Sequence, residues 1–164
     1  MILGMSTHTF TILHVIISLI GIVTGVVVVW GMLGAKRLPL WTAVFLITTV
    51  ATSVTGFFFK STSFGPPHAF GVISLVVLAV AIPALYIFHL GAHWRWVYVI
   101  GAVLTLYLNA FVGVVQAFQK LSFLNPLAPT QSEPPFVIAQ GLVFVLFATL
   151  GWYSLRKFHP AANG

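Results

Sequence analysis

The sequence predicts an all-α, polytopic integral membrane protein, a bundle of five membrane-spanning helices in one domain that covers residues 1–164. Hydrophobic residues make up 60% of the 164 residues and charged residues 5%, and the mean hydropathy is +1.10. Soluble domains carry about 25% charged residues, so this composition excludes an ordinary water-soluble fold. Five apolar stretches reach the roughly 20 residues that a helix needs to cross a bilayer. They lie at residues 9–33, 40–59, 69–90, 96–118 and 136–155.

Turn-forming residues separate these stretches. The run Gly-Ala-Lys-Arg-Leu-Pro at 34–39 closes the first, and Pro-Pro pairs at 66–67 and 134–135 precede the third and the fifth. Proline is well suited to the first turn of a helix, because the N–H that it lacks would have no partner there. The two Pro-Pro pairs therefore predict helix starts.

Basic residues and tryptophans are distributed unevenly between the two sides of the predicted bundle. One set of loops and the C-terminus carry five basic residues, whereas the opposite loops carry only Lys60 and Lys120. The larger set is Lys36, Arg37, Arg95, Arg156 and Lys157. The tryptophans lie at the same ends and are Trp30, Trp41, Trp94, Trp96 and Trp152. Cytoplasmic loops carry an excess of Lys and Arg, and tryptophans gather at membrane interfaces. We therefore expect the N-terminus outside and the C-terminus in the cytoplasm, and the small size of the chain favours a bacterial inner membrane.

The composition also excludes several kinds of chemistry. The chain has no cysteine, which rules out disulfides, thiolate metal sites, iron–sulfur clusters and cysteine nucleophiles. Its single acidic residue is Glu133, so hydrolysis by a pair of carboxylates cannot occur within one chain. The net charge of +6 is scattered over the ends of the segments rather than clustered on one face. We therefore expect the lipid bilayer, and no nucleic acid, as a partner.

Polar residues within the spans concentrate in the half predicted to be outer. Side chains of this kind are expected to face protein or water rather than lipid. Each span or its flank contributes at least one candidate ligand-binding residue. The candidates are His14, Thr52, His68, Asn109, Gln116, Glu133 and Gln140, with Lys60 and Lys120 at the rim. This pattern predicts a polar pocket that binds a small molecule or lipid, for transport or sensing, and the two lysines would attract an anionic ligand.

Two other functions are compatible with the same residues. The set His14, His68 and Glu133 suits Zn²⁺ or a similar ion, and haem or quinone could bind near it, which would make the chain a membrane enzyme or redox subunit. The cofactor is left open. The polar residues could instead serve as hydrogen-bonding contacts between helices in a non-catalytic assembly subunit. Gly21 and Gly25 form a small-xxx-small pair, which predicts a homo-oligomer through that face.

Overall fold

The computed structural model describes residues 1–60 and 63–160, so part of the predicted loop after the second span and the last four residues lie outside the described residues. No β-strand occurs within these ranges, and five helices are long and apolar enough to cross a membrane. The prediction of an all-α chain with five spans is confirmed. The helices are α1 Thr7–Leu33, α2 Pro39–Gly56, α3 Pro66–Tyr86, α4 Trp94–Lys120 and α5 Pro134–Lys157, with a 3₁₀ turn at Asn125–Leu127 before α5.

The helix starts follow local chemistry. Ser6 caps α1, since its hydroxyl accepts a hydrogen bond of 3.1 Å from the backbone N–H of Thr9. Helices α2, α3 and α5 each begin at a proline. The two predicted Pro-Pro starts are therefore confirmed, and Pro39 acts in the same way on α2.

Two helices end earlier than the hydrophobic pattern predicts. We expected the second span to run to residue 59 and the third to residue 90, but α2 ends at Gly56 and α3 ends at Tyr86. Pro83 removes one N–H from α3, and its carbonyl accepts from both Ile87 and Phe88, which bends the chain into a turn. Residues beyond both ends are apolar, so hydropathy alone extends the spans.

Side-chain contacts show that consecutive helices run in opposite directions. Three pairs of rings join neighbouring helix ends on one side of the bundle, namely Phe10 with Phe59, Phe57 with His68 and Phe118 with Phe136. We name this side the outer end. On the other side, Arg95 donates to the carbonyls of Leu155 and Phe158 at 2.8 and 3.1 Å. We name that side, formed by residues 34–38, 87–93 and 158–160, the inner end. Both names follow the predicted orientation, which stays a prediction.

Helix α4 lies at the centre and packs against the other four helices. Two glycines permit its closest contacts. A Cβ at Gly101 would lie 2.7 Å from the Cβ of Ala81 on α3, and a Cβ at Gly25 would lie 2.6 Å from Leu106 Cδ1. Such small residues let helix backbones approach in lipid, where no hydrophobic force draws helices together.

The predicted oligomer face is covered within the chain. Gly21 and Gly25 are both buried, and their nearest side chains belong to α2 and α4. This small-residue pair therefore serves packing inside one chain, and the homo-oligomer stays a prediction.

We expect Gly101→Ala to destabilise the bundle by about 1–3 kcal/mol, because the added methyl group meets the Ala81 Cβ, which cannot move without the α3 backbone. Unfolding of the purified protein in mixed detergent micelles measures the change. Gly141→Ala on α5 is the matched control, since nothing lies within 4 Å of a Cβ there. Equal effects of the two substitutions would contradict the close α3–α4 contact.

Candidate functional site

His14 is the polar residue of α1 that contacts α2. Its Nδ1 lies 2.7 Å from the Thr55 hydroxyl, and that hydroxyl donates at 2.6 Å to the carbonyl of Ala51. The Thr55 hydroxyl thus links the His14 ring on α1 to the backbone of α2. The ring also packs edge-on against Phe59, with centroids 5.1 Å apart.

Thr52 differs from the other hydroxyl residues around it on α2. Thr48, Thr49, Ser53 and Thr55 each donate to a backbone carbonyl one turn earlier. The buried Thr52 hydroxyl has no hydrogen-bond partner among the described residues. Because Thr48, Thr52 and Thr55 recur at helical spacing, Thr52 lies on the face of α2 that meets α1.

Asn109 brings α4 to the same interface. A Cβ at Gly21 would lie 3.6 Å from the Asn109 side-chain nitrogen and 3.3 Å from the Thr48 hydroxyl. Within the described part of the chain, that nitrogen has no hydrogen-bond partner, although it is buried. We call the group His14, Gly21, Thr52, Thr55 and Asn109 the outer polar cluster.

Gln116 and Lys120 extend this face of α4 towards the outer end. They lie seven and eleven residues after Asn109, which places all three on one side of the helix. Gln116 is half-buried and Lys120 is exposed. The Lys120 ammonium is close enough for its charge to act on the His14 imidazole. Lys120 therefore adds positive charge on the outer side of the cluster.

Gln140 is buried at a different interface. Its side-chain nitrogen donates at 3.1 Å to the carbonyl of Phe111 on α4, and its oxygen is buried with no partner among the described residues. Phe111 follows Asn109 by two residues, about 200° around the helix. Gln140 therefore lies on the α5 side of α4, apart from the outer polar cluster.

His68 and Lys60 lie at the rim of the outer end. The His68 ring packs between Phe57 and Phe64 at 5.8 and 5.5 Å, and its Nδ1 accepts a hydrogen bond of 3.3 Å from the N–H of Gly65. His68 thus helps to cap α3. Lys60 is exposed after the turn that ends α2. Neither residue enters the outer polar cluster.

The Glu133 carboxylate accepts hydrogen bonds within its own loop at the start of α5. It accepts from the N–H of Thr130 at 3.2 Å, the hydroxyl of Thr130 at 2.8 Å and the N–H of Ser132 at 3.1 Å. Partial desolvation acts to raise the pKa of Glu133, but these hydrogen bonds stabilise the ionised form more strongly and hold the pKa below the ordinary value of 4.5.

The predicted metal set of His14, His68 and Glu133 is not brought together. No group of three or more His, Cys, Asp or Glu side chains that could hold a metal ion occurs among residues 1–60 and 63–160. The physical reason is that each side chain forms its hydrogen bonds at a different place. His14 bonds to Thr55 on α2, His68 bonds to the N–H of Gly65 at the start of α3, and Glu133 bonds to Thr130 in its own loop.

Thr55 is the member of the cluster that the sequence analysis missed. It lies 41 residues after His14, and no local spacing links the two positions. The available signal was the recurrence of Thr48, Thr52 and Thr55 on one face of α2, of which only Thr52 was predicted to bind.

Comparison with known proteins assigns no family. Protein-family models, curated proteins and solved structures give no match to the chain. Function therefore has to be inferred from the side chains described above.

Two threonines on one helix test the hydrogen bonding of the cluster. We expect Thr55→Val to lower the free energy of unfolding by about 1 kcal/mol, because His14 Nδ1 loses its hydrogen-bond partner. Thr52→Val is the matched control and should leave stability unchanged or raise it, since its hydroxyl has no partner to lose. Unfolding in detergent micelles gives both values, and a larger loss for Thr52→Val would contradict the assignment.

The Glu133 loop should respond to acid. Since the folded-state pKa lies below that of the unfolded chain, the carboxylate's hydrogen bonds are complete above about pH 4.5 and are lost as pH falls through the folded value. NMR titration of the Thr130 and Ser132 amides should show a midpoint below 4.5. Glu133→Gln should abolish that transition; a midpoint above 4.5 would contradict the hydrogen bonding.

Proposed function

We propose that this integral membrane protein binds a small molecule with hydrogen-bond acceptor atoms in the outer polar cluster between α1, α2 and α4, for transport or sensing. The observation that carries the proposal is that Thr52 on α2 and Asn109 on α4, each on a side that meets α1, keep buried polar atoms without partners among the described residues. A ligand that accepts from both would complete their hydrogen bonding.

Contacts between helices account poorly for the unpartnered polar atoms of Thr52 and Asn109. A polar residue kept only to hold helices together makes its hydrogen bond, as Thr55 does with His14. Leaving a buried donor without a partner costs about 1–3 kcal/mol. A protein tolerates such a cost where the group acts on something that binds there, because function commonly requires groups that destabilise the unliganded state.

The chemistry of the cluster favours a ligand with carbonyl or carboxylate oxygens. Asn109 offers amide N–H groups and Thr52 offers a hydroxyl, and both can donate to such oxygens. Lys120 adds positive charge on the outer side of the cluster, and the only acidic residue, Glu133, is held by its own loop. Lys60, exposed at the same end, would help to attract an anion.

The orientation and the membrane belong to the same proposal. The excess of basic residues at the inner end supports an outside N-terminus and a cytoplasmic C-terminus. The cluster would then open to the non-cytoplasmic side, and the small chain fits a bacterial inner membrane.

Substituted cysteines test the cluster directly, because the natural chain contains none. We expect Thr52→Cys and Asn109→Cys to react with a membrane-impermeant methanethiosulfonate that is added outside. The anionic ethylsulfonate reagent should react about tenfold faster than the cationic trimethylammonium reagent, after each rate is divided by that for a small thiol in solution. Lys120→Gln should reduce this preference.

Two matched positions serve as controls. Thr149 is exposed on the membrane-facing surface of α5, and Thr105 is buried one turn inward of Asn109. Cysteine at either position should stay unreactive, since a thiol in lipid or in a packed core does not ionise readily. If Thr52→Cys and Asn109→Cys are equally unreactive, the polar groups serve helix association and the proposed function fails.

A further inference from the structure

The inner end contains a cavity that the sequence analysis did not predict. Its volume is about 190 Å³, several times the roughly 30 Å³ that a water molecule occupies in the liquid. Lys36, Arg37 and His89 lie along it, and the hydroxyl residues Thr42 and Tyr98 line it as well. Both hydroxyl residues are buried, and Tyr98 is 2% exposed. Cationic and hydroxyl residues therefore line one partly open cavity.

No acidic side chain neutralises this cavity. The chain has a single carboxylate side chain, that of Glu133, and it is engaged by Thr130 in the loop at the opposite end. Lys36 and Arg37 can therefore be neutralised only by a group from outside the side chains of this protein. Such a cavity is therefore suited to binding an anion.

Other basic residues at the inner end have contacts of their own. Arg95 donates to the carbonyls of Leu155 and Phe158, where it caps the end of α5. Arg156 lies over the ring of Trp152 at 4.7 Å, and Lys157 lies 5.9 Å from the ring of Tyr153. Lys36 and Arg37 are thus the inner-end cations that line a cavity.

Two backbone positions at this cavity adopt a strained left-handed conformation. Lys36 directly follows Ala35, which adopts a left-handed φ of +54° at the end of α1, and His89 has a φ of +47°. The N–H of Lys36 and that of Ala35 bond back to the carbonyls of Gly31 and Met32, the arrangement in which glycine is usual. Left-handed backbone strain in residues other than glycine concentrates at functional sites.

A separate apolar groove lies beside the cavity, between α2 and α3. Its volume is about 630 Å³, and Tyr86 lines both the groove and the cavity. Along α2 the groove runs from Ala43 to Val54, a rise of about 16 Å at 1.5 Å per residue. One leaflet contributes about half of the roughly 30 Å hydrocarbon core. The groove therefore matches the depth of a single acyl chain.

We infer that the inner end binds one phospholipid with an anionic head group. The head-group phosphate lies among Lys36, Arg37 and His89, and an acyl chain lies in the α2–α3 groove. Arginine pairs with two phosphate oxygens at once, and lysine supplies a second charge. Basic pockets between helices at the cytoplasmic surface bind anionic lipids in this manner. The groove distinguishes a lipid from a soluble phosphate, which would need no apolar channel.

Native mass spectrometry of the purified full chain in detergent tests the inference, with phosphatidylglycerol, phosphatidylcholine and glycerol phosphate as probes. We expect phosphatidylglycerol to bind more tightly than the other two. The double variant Lys36→Gln/Arg37→Gln should weaken phosphatidylglycerol binding by about tenfold or more, because two charge-assisted contacts are lost. Arg156→Gln/Lys157→Gln removes the same charge from the same end and should weaken it by about twofold at most.

The groove is tested without changing any charge. Ala51→Phe fills the groove from α2, and we expect it to weaken phosphatidylglycerol binding about tenfold without affecting glycerol phosphate. Ala148→Phe, at an exposed position on α5, is its matched control. This pair keeps the inference testable if the double charge variant does not fold.

Four results would overturn the inference. Equal losses in the two double charge variants would mean diffuse attraction to the surface, and equal binding of phosphatidylcholine would mean that head-group charge is not recognised. Tighter binding of glycerol phosphate would assign the cavity to a soluble phosphate. An unchanged phosphatidylglycerol affinity in Ala51→Phe would remove the acyl chain from the groove.

Discussion

Close contact between helix backbones is the constraint on which the rest of this structure depends. Lipid tails are as apolar as leucine, so association inside a membrane relies on van der Waals packing and hydrogen bonds rather than on burial from water. Gly25 lets α1 approach α2 and α4, and Gly101 lets α4 approach α3, closely enough for such packing. Because α4 packs against the other four helices, residues on its different faces contact different helices.

Satisfaction of the hydrogen bonds of polar groups is the second constraint on the residues inside the spans. Most hydroxyls in the spans donate to their own helix, and His14 is paired with Thr55 across an interface. Among the described residues, Thr52 and Asn109 depart from this rule in the outer polar cluster, and Gln140 and Ser154 depart from it elsewhere. In a low-dielectric interior, each such departure is costly.

The charges give the two ends different chemistry. At the outer end the only acidic residue, Glu133, organises its own loop, and Lys120 remains as a cation near the polar cluster. At the inner end Arg95 is used to cap α5, whereas Lys36 and Arg37 line a cavity. One chain thus combines a polar interface between helices with a basic recess at the membrane surface.

The sequence alone determined the membrane class, the five spans and the proline-started helices, because hydropathy and proline geometry are local properties. Helical periodicity also identified the polar faces that carry His14, Thr52 and Asn109. Only the tertiary structure decided which faces meet: it paired His14 with Thr55, placed Gln140 on the far side of α4, and kept His14, His68 and Glu133 apart. It also formed the inner cavity from four separate segments. The rotation and neighbours of a helix depend on contacts such as those of Gly25 and Gly101, which join residues distant in sequence and leave no periodic signal.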